Sequence, residues 1–121
     1  MAKRKQPEFK LQCRVVDYLR ALPCVGMFHH SPNGSKLHGS KEQRARTGAR
    51  LKRAGTVAGY PHLTLYASDG RVGHLELKAE KGRLSDNQIE VQQRLSGLGH
   101  RYAIVKHTDD VLEALRAWGW M

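Results

Sequence analysis

Three stretches carry apolar residues at helical spacing. Leu11, Val15, Leu19 and Leu22 form one stripe of "PEFKLQCRVVDYLRALP", with Val16 beside it, which predicts a helix from about Pro7 to Leu22, closed by Pro23. Glu8, Gln12, Val15, Val16 and Leu19 also share a face, so Glu8 is placed at the inner edge of this helix. A helix over Asp86–Ser96 is capped by Ser85 and has Ile89, Val91 and Leu95 as apolar positions; a last one begins at Thr108, capped by Thr108 or Asp109. Four segments read as strands: "VGMFHH" (25–30), "HLTLYA" (62–67), "VGHLELKA" (72–79) and "RYAIVK" (101–106). "SPNG" marks a turn after the first strand. Between the first two strands, Ser40 and Gln43 form a capping box for a basic helix. Gly48 weakens that helix, so part of it is expected to be a mobile loop. The order of elements makes this an α/β domain with a mixed sheet.

Two hairpin registers are open for the middle strands. A two-residue Asp69-Gly70 turn pairs Leu63 with Glu76 and Leu65 with His74, mismatching the faces along its length. A three-residue Ser68-Asp69-Gly70 loop, with Gly70 left-handed, pairs Ala67 with Arg71, Tyr66 with Val72, Thr64 with His74 and His62 with Glu76. Leu63, Leu65, Leu75 and Leu77 then share the opposite face. The second register keeps the faces consistent. It brings His62 and Glu76 to about 5 Å at Cβ, with Lys78 one step further along the same face.

Composition changes this picture in one respect. The 121 residues make one domain, 1–121, with residues 1–6 expected to be a flexible basic tip. The 21 Lys and Arg exceed the 11 Asp and Glu, leaving a net charge of +10. Seven of the cations (Lys36, Lys41, Arg44, Arg46, Arg50, Lys52 and Arg53) cluster around a single acid, Glu42. Clustered positive charge points to a polyanion, nucleic acid first and an anionic membrane surface second. Cys13 and Cys24 make no disulfide framework, no apolar run is long enough to span a membrane, and no secretory segment follows the start. A cytoplasmic setting is expected.

A carboxylate, an imidazole and a backbone carbonyl can hold a divalent metal, and a lysine beside them can position water or stabilise developing negative charge. With a phosphodiester as substrate, the result is metal-assisted hydrolysis. Taken alone, Glu76 and Lys78 would more often be a solvated cross-strand pair. Their surroundings give them weight.

"GYPHL", "HLELK" and "KGRLSDNQ" together resemble the VRR-NUC branch of the PD-(D/E)XK nucleases, through Gly59, Pro61, Leu63, Glu76, Lys78, Gly82, Leu84, Ser85 and Gln88. The resemblance covers most of the chain. It implies a restriction-endonuclease-like core, a mixed β-sheet flanked by helices. It implies Mg2+ or Mn2+ held by the motif acids and the Leu77 carbonyl, with Glu8 as the first-helix acid. It makes Lys78 the catalytic lysine and Gln88 a helper, and it leads to an endonuclease of branched DNA such as four-way junctions, acting as a homodimer. The family's aspartate is His62 here. Imidazole suits Mn2+ and later transition metals better than Mg2+. Either His62 ligates such a metal, or the site is impaired and the chain is a structure-specific DNA-binding module, or the change traps an inactive form. His29 and His30 read as structural, His74 as a non-ligand that could face the cleft, and Trp118 and Trp120 as core.

Overall fold

The computed structural model describes residues 6–32 and 37–121. The elements run α1 (Gln6–Arg20), β1 (Val25–His30), α2 (Lys41–Arg53), β2 (Leu63–Ala67), β3 (Val72–Leu77), α3 (Asp86–Gly97), β4 (Arg101–Val105) and α4 (Thr108–Ala117). The four strands form one sheet in the order β1-β2-β3-β4. The first three are antiparallel, and β4 lies parallel to β3 after the α3 crossover. This is the expected mixed sheet with helices. The turn "SPNG" falls partly, and Lys36 and residues 1–5 of the expected basic tip wholly, outside the described residues, while Gln6, the last residue of that tip, begins α1.

The hairpin takes the three-residue loop. Ala67 N–H donates to the Arg71 carbonyl (2.8 Å), Gly70 has a φ of +92°, and Tyr66 and Thr64 face Val72 and His74. Strand alternation then separates two chemistries. Leu63, Leu65, Ala67, Leu75 and Leu77 are buried with Leu11, Val15 and Leu19 of α1 and with Val111, Ala114 and Leu115 of α4. Trp118 and Trp120 are buried in the same core, 5.2 Å apart. Thr64, His74 and Glu76 turn to the other face, where α3 lies, and are buried too. Burying apolar area stabilises the first layer. The second requires hydrogen bonds throughout.

Several local expectations need correction. α2 is helical throughout, across Gly48, and Ser40 and Gln43 close its capping box reciprocally (2.7 and 3.1 Å). No residue of α2 is buried. Ile89 is 39% exposed, because the inward stripe of α3 is Gln88, Val91 and Leu95. Neither Thr108 nor Asp109 caps α4. The Asp110 carboxylate reaches back to the N–H groups of Lys106 and His107 (2.9 and 3.0 Å).

Candidate active site

Glu76 stands on the penultimate residue of β3, a strand buried on both faces, and its side chain is fully buried. Three groups converge on its Oε2. His62 Nδ1 lies at 2.8 Å, Gln88 Nε2 donates at 3.1 Å, and Lys78 Nζ stands at 3.9 Å. The other oxygen, Oε1, is buried and has no hydrogen-bond partner among the described residues. The 2.8 Å contact assigns the Nδ1 proton of His62 to Glu76. The Leu77 N–H, 3.4 Å from the same nitrogen, then finds no acceptor there. His62 Nε2 is left facing Glu8 Oε1 at 3.9 Å, at the partly exposed edge of α1.

Gln88 has two functions. Its Oε1 accepts the Ser85 N–H (2.9 Å) while Ser85 Oγ accepts the Gln88 N–H (3.2 Å), so one capping box fixes the start of α3. The same amide presents Nε2 to Glu76. Gly59 makes the approach of α3 possible. It has a φ of +84°, and a Cβ there would come within 2.6–2.7 Å of the Asn87 and Gln88 backbone. Gly59→Ala is therefore expected to lower stability by about 1–3 kcal/mol through strain and overpacking. Urea unfolding at neutral pH checks this, and a loss below the measurement error would remove Gly59 from the account.

Beside the acid lies a network of which the hairpin register gave only the Thr64–His74 pair. His74 Nδ1 is 3.0 Å from Thr64 Oγ1, its Nε2 is 2.9 Å from His100 Nδ1, and Tyr60 meets its ring edge-on. His74 is buried, correcting the expectation that it could face the cleft. Burial first, and then the neighbouring His100, pull its pKa down to about 4 from an ordinary 6.5. The folded protein holds this ring neutral where the unfolded chain protonates it. Stability is thus complete above pH 6.5 and falls as the pH drops toward 4. Between pH 7 and 4.5 the loss from this group is expected to be roughly 2–3 kcal/mol. Urea unfolding at both pH values checks this, and His74→Gln should flatten the difference. Burial and then the Glu76 charge push the Tyr102 phenol up. Burial, His62 and His29 together lower His30, which ends β1.

The structure thus brings together Glu76, Lys78, Gln88, His62 and, at longer range, Glu8. The described cations Lys41, Arg44, Arg46, Arg50, Lys52 and Arg53 all lie on α2. Arg46, Arg50 and Arg53 share one side of it by spacing, while Gly48, Leu51 and Lys52 line a groove on another. Among the described residues, no three His, Cys, Asp or Glu side chains are grouped as a cage for a metal. Magnesium-type sites commonly use one or two carboxylates, completed by water and substrate oxygens. A buried carboxylate with one unpartnered oxygen, the Leu77 carbonyl and His62 and Glu8 nearby fit such a site.

The chain matches no family model and no curated protein. Among solved structures, one described as "VRR_NUC domain protein" superposes with a TM-score of 0.67 at 22% identity, covering 91% of this chain and 85% of that one. A second, "VRR_NUC domain", gives 0.61 at 18% identity, covering 91% and 95%. The chain has the fold of a VRR_NUC domain. In that fold, the hairpin and the capped start of α3 bring Glu76, Lys78 and Gln88 to one end of the sheet. No helix is long and apolar enough to cross a membrane among the described residues.

Proposed function

We propose that this chain is a divalent-metal-dependent endodeoxyribonuclease that cuts branched DNA, such as four-way junctions, as a homodimer. The observation that carries the reading is Glu76. A fully buried carboxylate with one oxygen ringed by donors and the other unpartnered is costly unless a cation uses it. Its fold likeness to VRR_NUC structures and the cationic α2 support a phosphodiester substrate.

Glu76 Oε1, with the Leu77 carbonyl, His62 Nε2 and Glu8, would hold the ion. When bound, the ion supplies Lewis-acid polarisation of the phosphate and a more acidic water. Gln88 and His62 fix the Glu76 carboxylate in place. Lys78, its side chain 16% exposed, positions the attacking water and stabilises charge on the phosphate as the water oxygen bonds to phosphorus. The P–O bond to the leaving oxygen breaks, and that oxygen takes up, through solvent, the proton that the attacking water gives up. The arginines of α2 hold phosphates without reading sequence. An imidazole in the shell favours Mn2+ over Mg2+.

A second reading, a DNA-binding module without catalysis, rests on His62. Its ring occupies Glu76 Oε2 where the related motif has an aspartate. One experiment separates the two: a labelled four-way junction and a matched linear duplex, each incubated with Mg2+ or Mn2+. The nuclease reading expects cutting of the junction, faster with Mn2+. Binding of the junction without cutting in either metal would favour the module.

A further inference from the structure

We infer that the groove between α2 and the start of α3 receives unpaired DNA next to the bond that is cut, an inference that rests on the nuclease reading above. The groove measures about 820 Å³ and is lined by Leu37, Leu51, Val57, Lys52 and Asn87 among others. Asn87 is the shared wall. It also lines the smaller pocket formed with His62, Gln88, Ser85 and Tyr60 beside the candidate catalytic patch. The groove and the patch therefore lie on either side of Asn87, close enough for one strand to reach both.

The lining is chemically unlike a duplex site. Leu37, Leu51 and Val57 are 36%, 42% and 45% exposed, apolar surface with no cover from the described residues. Paired DNA offers a protein mainly its phosphates, with the base faces stacked away. Unpaired DNA offers phosphates and apolar base faces together. The groove meets both. Its floor is apolar, Lys52 lines it, and by helical spacing Lys41 and Arg44 share that face of α2, with Arg46, Arg50 and Arg53 on the other. That local charge suits a polyanion better than the equally cationic α2 of a second copy, so a homodimer would form through another face. Branched DNA supplies such a segment wherever strands part, so the groove gives the proposed preference for branches a physical basis.

The test uses the full chain in EDTA, so that nothing is cut. Fluorescence anisotropy compares a blunt duplex with the same duplex carrying unpaired arms. The forked DNA is expected to bind about tenfold tighter, the scale of one or two base contacts. Leu51→Gln and Val57→Gln, exposed and charge-neutral changes with folding checked by circular dichroism, should bring forked DNA down to the affinity of blunt duplex. Equal binding of both DNAs by the unaltered chain would overturn the inference. So would a preference that survives both substitutions, or a change in sedimentation mass with the preference intact, which would make the groove a protein interface. If duplex is bound and junctions are cut without any preference for forked DNA, this inference alone fails. If no DNA binds at all, the nuclease reading fails with it.

Discussion

Lys78→Ala is expected to reduce junction cleavage by about 10²–10³-fold, the scale of losing one group that stabilises transition-state charge. DNA affinity should change little. The ammonium stands 3.9 Å from Glu76 Oε2, with most of its stem buried, while the cations assigned to phosphate binding lie on α2. Single-turnover cleavage, paired with binding in EDTA, checks both halves. A parallel loss of cleavage and binding would make Lys78 a phosphate contact. Unchanged cleavage would leave it an ion-pair partner of Glu76 only.

The second large effect is expected from His62→Asp. The imidazole now donates to Glu76 across 2.8 Å, so the substitution removes that bond and sets a second carboxylate beside a fully buried one. Without metal, the variant should be less stable by about 1–3 kcal/mol, through the lost hydrogen bond and like-charge repulsion. With Mg2+ it should recover, because two carboxylates suit a hard cation better than one carboxylate and a ring nitrogen. The ratio of Mn2+- to Mg2+-supported cutting should fall by about tenfold. Thermal melts with and without Mg2+ supply the readout independent of activity. Equal Mg2+ stabilisation of both proteins would contradict a metal site at His62 and Glu76.

The hairpin explains why so much of this patch was legible. A one-residue slip would have set the two leucines of one strand on the face opposite the two of the other, so the apolar pattern alone selected the register, and the register placed His62 against Glu76. The Ser40–Gln43 capping box is a local signal and reads directly from sequence. Ser85 and Gln88 carry the same signal, but the second bond of Gln88, to Glu76, depends on how α3 lies over the sheet. Of the three apolar positions on α3, Val91 and Leu95 face inward and Ile89 is exposed, because the inward stripe includes the polar Gln88. The cap of α4 was misread because Asp110 caps from inside the helix rather than from its first residue. His100 reaches His74 across 26 residues of chain, a pairing that exists only once β3, α3 and β4 are assembled. The continuity of α2 through Gly48 shows a local cap and straight-chain helix formers outweighing one glycine.

On the proposed reading, Glu76 is buried in order to hold a catalytic cation. The most direct test is Mn2+ titration of the full chain, followed by electron paramagnetic resonance, beside Glu76→Gln. One bound Mn2+ per chain at micromolar concentration is expected, lost in Glu76→Gln while the fold is kept. Absence of bound Mn2+ in the unaltered chain, or equal binding by Glu76→Gln, would contradict it.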